Sequence, residues 1–204
     1  MKRSWIIIFV CVLLIGGWFF VSSEKKITNY PSRGTRVIAF GDSLFEGVGA
    51  SKGNSLPDQL SRRIGVPIEN YGVAGDTTQD GLNRIDSALE GGNPKVVILL
   101  LGGNDFLRKV PRGEISANLA ALIQKAQSRG AIVLLLGVRS GIIGGGFDDE
   151  YEKLSRQYGT AYVDDVLQGV FSHADLMSDA VHPNDKGYAQ IADRVAPVLQ
   201  KLLQ

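Results

Sequence analysis

Cysteine and histidine are nearly missing from this chain, and each shortage removes a class of chemistry. Cys11 is the only cysteine, so no disulfide can form within the chain and no cysteine metal cluster can be built. Histidine occurs twice, as His173 and His182, so a reaction that needs an imidazole base must draw on one of these two. An excess of either charge is lacking as well: 22 Lys and Arg stand against 21 Asp and Glu, a net charge of +1. That balance excludes the basic footprint of a nucleic-acid partner and the acidic tail of a solvating segment. No internal repeat or low-complexity block occurs. No carboxylate and histidine spacing matches a metal site, so neither metal nor cofactor is expected.

Long hydrophobic runs are also missing, with one exception at the start. Lys2 and Arg3 precede an uninterrupted apolar segment from Trp5 to Val21. As one hydrophobic helix it would span roughly 25 Å. The positive residues in front predict the amino terminus inside and the rest of the chain outside. The run is long for a signal peptide and slightly short for a membrane span, while Val21-Ser22-Ser23 offers small residues for cleavage. An anchor in residues 5–21 is preferred and a cleaved signal stays open. Either one exports the domain to the cell envelope, on its periplasmic or extracellular face. Residues 1–23 are therefore set apart as leader, 24–35 as a short polar tether, and 36–204 as one globular domain.

Within that domain, apolar runs and helical patterns alternate. Strands are predicted at 36–41, 67–71, 95–101, 131–136 and 160–163. Helices are predicted at 55–64 behind Ser55, 78–90 behind Thr77 or Thr78, 114–129, 147–158 and 184–203, the last kinked or interrupted at Pro197. Strands separated by helices argue a parallel sheet covered on both faces, a three-layer α/β/α sandwich with five strands.

Chemistry-bearing residues collect where those strands end. Arg36 to Phe40 runs into Gly41-Asp42-Ser43, a tight turn with a serine at its tip. Gly72-Val73-Ala74-Gly75 follows the second strand, and Gly102-Gly103-Asn104-Asp105 follows the third. Asp179-Ala180-Val181-His182-Pro183 precedes the last helix. In an open α/β sheet these segments meet at one carboxyl edge. A serine needs an adjacent base to become a nucleophile, and the base needs a third group to hold its tautomer. Ser43, His182 and Asp179 fit those roles. The amides of Ser43 and Gly75 and the side chain of Asn104 fit an oxyanion hole. Asp42 and Asp105 read as organisers of their turns, and His173 as a surface or packing residue. Gly144-Gly145-Gly146 lacks the lysine and hydroxyl residue of a phosphate loop and reads as a mobile loop over the site. Phe45, Phe106, Leu107, Ile142 and Ile143 are candidates to line a substrate pocket. Phe45 replaces the final glycine of the Gly-x-Ser-x-Gly elbow, so an α/β-hydrolase nucleophile turn is excluded. Gly47-Val48-Gly49-Ala50-Ser51-Lys52 fails as a dinucleotide fingerprint at its last position.

Taken in order, these blocks resemble the SGNH (GDSL) hydrolase family, with Ser43, Gly75, Asn104 and His182 matching its four letters and Asp179 its triad acid. Gly75-Asp76-Thr77-Thr78-Gln79-Asp80-Gly81-Leu82 and Leu101-Gly102-Gly103-Asn104-Asp105-Phe106-Leu107-Arg108 are similar to the thioesterase I, arylesterase and lysophospholipase branch. The resemblance implies a flavodoxin-like fold and a serine ester hydrolase acting on small-molecule or lipid acyl esters. Phe45-Glu46 departs from the small residues usual in that branch, which bears on acyl preference. A carbohydrate O-acetylesterase of the envelope is the alternative.

Overall fold

The computed structural model describes residues 26–138 and 148–204. Five strands form one all-parallel sheet: β1 (Arg36–Gly41), β2 (Ile68–Gly72), β3 (Pro94–Leu100), β4 (Ile132–Leu136) and β5 (Ala161–Val163), in the order β2-β1-β3-β4-β5. Between and after them run α1 (Ser43–Glu46), α2 (Leu56–Ile64), α3 (Thr78–Leu89), α4 (Gly103–Leu107), α5 (Arg112–Ser128), α6 (Asp148–Tyr158) and α7 (Asp185–Leu203).

The strands are apolar on both faces because both faces are covered. Alternate side chains of one strand enter different cores. Val37 and Ala39 of β1 join Leu56 and Leu60 of α2 and Ile191, Val195 and Leu199 of α7. Ile38 and Phe40 join Ile85 of α3, Leu119, Leu122 and Ile123 of α5, and Tyr151 and Leu154 of α6. Each fully buried leucine or isoleucine contributes about 1.5–3 kcal/mol of hydrophobic stabilisation before its entropy cost.

Helix starts follow the local chemistry read from the sequence. Ser55 and Asp58 form a capping box on α2, as do Thr77 and Asp80 on α3. Asn184 caps α7 through the amides of Lys186 and Gly187. Two elements escape the periodicity argument: α1 and α4 are too short to show a helical repeat. The expected interruption at Pro197 does not occur, since α7 runs through it. The buried residues Val195, Ala196 and Leu199, before and after Pro197, hold the helix against the sheet.

The polar tether expected at 24–35 is, over its described part, bound to the domain. The Thr28 amide donates to Gly159 O at 2.8 Å and the Thr28 hydroxyl to Tyr158 O at 3.0 Å. Asn29 Nδ2 donates to Ala131 O and Gln127 O, both at 2.9 Å, Ser32 Oγ donates to Gly130 O at 3.2 Å, and the Thr35 amide donates to Asn93 O at 3.0 Å. Unsatisfied strand-edge and helix-end carbonyls draw this polar segment in. The expected leader helix lies outside the described residues. Among the described residues no helix is long and apolar enough to cross a membrane.

The end of β2 is packed so closely against α1 that only glycine fits at position 72. A Cβ there would stand 2.1 Å from the Glu46 amide nitrogen and 2.5 Å from the Phe45 carbonyl carbon. Gly72→Ala must therefore displace backbone, and we expect a loss of about 1–3 kcal/mol in urea unfolding. An unfolding midpoint unchanged from the natural chain would contradict this close approach.

Candidate active site

Sheet order reverses between β1 and β3, and ligands of such folds sit outside the strand ends at that crevice. Ser43 follows β1 and Asn104 follows β3, on its two sides. Gly41 can carry no side chain, since a Cβ would lie 2.4 Å from Leu100 O and 2.7 Å from the Phe45 ring. Asp42 then caps α1, its Oδ1 accepting from the Leu44 amide at 3.0 Å. Ser43 becomes the first helical residue, half-buried, with its hydroxyl 3.1 Å from His182 Nε2.

His182 is held by its own segment. Asp179 Oδ2 lies 2.8 Å from His182 Nδ1, and Asp179 Oδ1 accepts from the amides of Val181 and His182, each at 2.8 Å. These bonds, the His182 side chain first, hold the Asp179 carboxyl down at about 2. Met177 bridges Pro183, and Asn184 Nδ2 donates to Asp175 O at 2.9 Å, which closes the loop on itself. Asp185 accepts from the Ser51 amide at 2.7 Å, and the Tyr188 hydroxyl donates to Val48 O at 2.7 Å. The histidine segment is thereby fastened to the chain that follows Ser43.

The loops after β2 and β3 are clamped together as well. Arg84 of α3 bonds Asp76 at 2.5 Å, Tyr71 O at 2.9 Å and Gly41 O at 2.8 Å, with its guanidinium 4.2 Å from the Phe40 ring centroid. Arg108 Nη2 donates to Gly75 O at 2.8 Å, and Glu46 accepts from the Ala74 amide. Asn104 Nδ2 donates to Asp76 O at 2.9 Å, which fixes the amide and leaves its second N–H free to serve a ligand. Gly75 takes φ +84° and Gly102 φ +117°, both in the region that favours glycine. The Tyr151 hydroxyl donates to Leu101 O at 2.8 Å and occupies the space a side chain at Gly102 would need. Among the described residues, the amides of Ser43 and Gly75 donate to no protein acceptor.

A cleft opens beside Ser43 and His182, walled by Leu44, Leu107, Val138, Leu167, Phe171 and Val181. A serine hydroxyl within hydrogen-bonding distance of an imidazole thus stands beside a largely apolar cleft, an arrangement able to attack an acyl group. The family model for the GDSL-like lipase/acylhydrolases matches residues 39–190. The chain belongs to that family. Esterase TesA of Pseudomonas aeruginosa is 32% identical, with 82% of this chain and 89% of that protein covered. The thioesterase 1/protease 1/lysophospholipase L1 of Escherichia coli K12 is 29% identical over 82% of this chain and 84% of its own. Among solved structures, that of TesA superposes with a TM-score of 0.78 at 31% identity, covering 82% of this chain and 99% of that one. AlinE4, described as an SGNH-hydrolase family esterase, superposes with a TM-score of 0.65 at 36% identity, over 83% and 97% of the two chains.

Against this family frame, the residues singled out in the sequence fall into groups. Ser43, His182, Asp179 and Asn104 gather at the strand ends, with the Gly75 loop clamped beside them. Leu107 lines the cleft and is 60% exposed. Phe45 does not line it: its side chain is fully buried in the core beneath α1, because the tight turn at Gly41 directs it inward. Phe106 packs against the opposite core and is likewise absent from the cleft wall. Ile142, Ile143 and Gly144-Gly145-Gly146 lie outside the described residues. Asp105 is buried, accepting from the Thr78 amide at 2.8 Å and hydroxyl at 2.6 Å, so it joins α3 to α4 and does not face the cleft. His173 is exposed beside a 3-10 turn at Ala174–Leu176. Val138, Leu167 and Phe171 escaped the sequence reading, since they sit after strand ends in stretches with no motif. Arg84 and Tyr151 escaped it because they reach the backbone carbonyls of Tyr71, Gly41 and Leu101, which carry no side-chain signal in the sequence.

Asp42 adds a pH dependence to this site. It is only 5% exposed, and burial pushes its carboxyl up to about 7, against the opposing effects of the Leu44 amide and His182. Between about pH 4 and 7 the folded chain keeps a proton that the unfolded chain has released. Stability from this group is thus present below pH 4, falls as pH rises to 7, and is level above. Asp42→Asn keeps a capping side chain and removes the titration. In urea unfolding across pH 4 to 8, we expect the variant to gain on the natural chain up to about pH 7 and then run parallel to it. Parallel curves throughout would show that Asp42 is already ionised at pH 4.

Proposed function

We propose that the chain is an exported serine ester hydrolase in which Ser43 is the nucleophile, His182 the base and Asp179 the residue that orients it. The observation that carries this is the hydrogen-bonded series Asp179–His182–Ser43, at 2.8 and 3.1 Å, at the mouth of an apolar cleft. Asp179, ionised at working pH, accepts the Nδ1 proton and leaves Nε2 free to accept from the serine. As Ser43 Oγ attacks the acyl carbonyl, its proton passes to His182 Nε2. The Ser43 and Gly75 amides and the remaining N–H of Asn104 receive the oxyanion. Collapse of the tetrahedral intermediate returns the proton from His182 to the departing alcohol or thiol. Water, deprotonated by His182, then cleaves the acyl-enzyme and releases the acid.

The relatives carry the names esterase, arylesterase, thioesterase and lysophospholipase, and we extend that substrate range to this chain. Leu44, Val138, Leu167 and Phe171 form a wall suited to a hydrocarbon acyl chain, and among the described residues lining the cleft none favours the carbohydrate O-acetylesterase alternative. Export rests on the apolar run Trp5 to Val21 behind Lys2 and Arg3, which we read as a retained anchor.

Hydrolysis of p-nitrophenyl esters from two to sixteen carbons tests the reading. Ser43→Ala should lose on the order of 10⁴- to 10⁶-fold in kcat while unfolding at the same urea concentration. Asn104→Ala should lose about 100- to 1000-fold. Turnover in the natural chain should peak at medium or long acyl chains. Full turnover in Ser43→Ala would overturn the mechanism, and collapse of activity beyond acetate would overturn the substrate assignment.

A further inference from the structure

The two ends of the sheet do different jobs, and the leader joins at the end opposite the site. Ser43, Gly75 and Asn104 all follow the carboxyl ends of strands. Residues 28–35 cross the amino ends: Thr28 is bonded to Gly159 just before β5, Asn29 to Ala131 just before β4, and Thr35 to Asn93 just before β3. Gly159, at φ +61°, admits the crossing only because it has no side chain, since a Cβ would meet the Thr28 hydroxyl at 2.8 Å and Lys26 O at 3.0 Å. The chain that links leader and domain is thus pinned at the amino edge of β5, with the length of the sheet between it and the cleft.

Chain length turns this placement into a constraint. Val21 ends the apolar run and Thr28 is the first pinned residue, seven peptide steps away, which reach at most about 25 Å. Part of that reach is used in crossing the headgroup layer. A domain of this size is about 40 Å across. With its cleft against the bilayer that holds it, the domain would set between Thr28 and that surface the length of the sheet, about 23 Å for the seven residues of β3, and the turns at both ends, beyond what the link has left after the headgroup layer.

We propose that residues 5–21, acting as an anchor, hold the domain with its cleft turned away from its own bilayer. The site is then fed from the aqueous side and does not act on esters within the leaflet that holds it. Its substrates are acyl esters that arrive dissolved, dispersed or displayed on a facing layer. The proposal rests on the hydrolase and anchor readings given above.

The full chain in phospholipid vesicles provides the test, at dilutions where vesicles rarely meet. Two substrates are compared: soluble p-nitrophenyl butyrate, and a fluorogenic long-chain ester resident in the same vesicles. A second chain carries about 40 Gly and Ser residues inserted between Lys25 and Lys26, with a mean span of about 35 Å. We expect equal turnover of the soluble ester by both chains, and at least tenfold faster hydrolysis of the resident ester by the lengthened one. Equal rates on the resident ester would overturn the proposed orientation. A chain that stays in the supernatant when vesicles are pelleted would overturn the anchor reading and the orientation with it. Failure of both chains on soluble p-nitrophenyl esters of every length from two carbons up would overturn the hydrolase reading, and this result is distinct from the other two.

Discussion

The hydrogen bond between His182 and Ser43 joins residues 139 positions apart, and it tolerates little error. A contact of 3.1 Å lost to a 1 Å shift is no longer a path for a proton. Neither partner can secure it alone, because each sits on a turn whose direction is set by the element behind it. Ser43 is aimed by the end of β1, and His182 by the loop that leads into α7. The bond therefore depends on how α7 packs against α2 and the sheet. Tyr188, Ile191 and Val195 of α7 bury themselves among Val37, Leu56 and Leu60, and this apolar contact holds the histidine loop in register.

Polar clamps then refine what the core positions coarsely. Arg84 reaches the carbonyls of Gly41 and Tyr71 as well as Asp76, so it sets the ends of β1 and β2 and the start of α3 relative to one another. A planar guanidinium with several fixed donors suits this task, which a lysine could not perform from one point. Asp105, Thr78 and Asn118 form a buried polar cluster that ties α3, α4 and α5 together behind Asn104. Every member is partnered, as a polar group away from water must be. The cleft wall is formed mostly by apolar side chains, while these polar groups fix the geometry behind it.

The same division runs along the strand axis. Carboxyl ends gather Ser43, Gly75 and Asn104, while residues 28–35 cross the amino ends. This follows from a parallel sheet, in which all loops of one kind lie on one edge. A segment that enters across the amino ends of the strands is therefore separated from Ser43 and Asn104 by the length of the sheet.

Much of this was legible in the order of residues, for identifiable reasons. Strands buried on both faces read as continuous apolar runs, so Val37 to Phe40 and Val96 to Leu101 announced themselves, and with the capped helices between them they implied the parallel sheet. Ser43 and Asn104 stood out as polar residues in glycine turns after strands, and Asp179 and His182 as an acid and a histidine three apart before Pro183 and the last helix. The relative order β2-β1-β3-β4-β5 carries no local signature and comes only from packing. Phe45 shows the limit on a single residue: adjacency to Ser43 suggested the cleft, but the turn sends it into the core. Leu167, Phe171, Arg84 and Tyr151 join the site through contacts that no spacing encodes. Residues 28–35 looked like free tether because their composition is polar, and their carbonyl partners lie about 60 to 130 positions away. Neighbouring residues suffice to mark the longer elements and the candidate site side chains, because propensity, capping and turn chemistry act locally. Distances, cleft walls and the edge that residues 28–35 cross come from packing, because they depend on surfaces that meet only when the sheet closes its two cores.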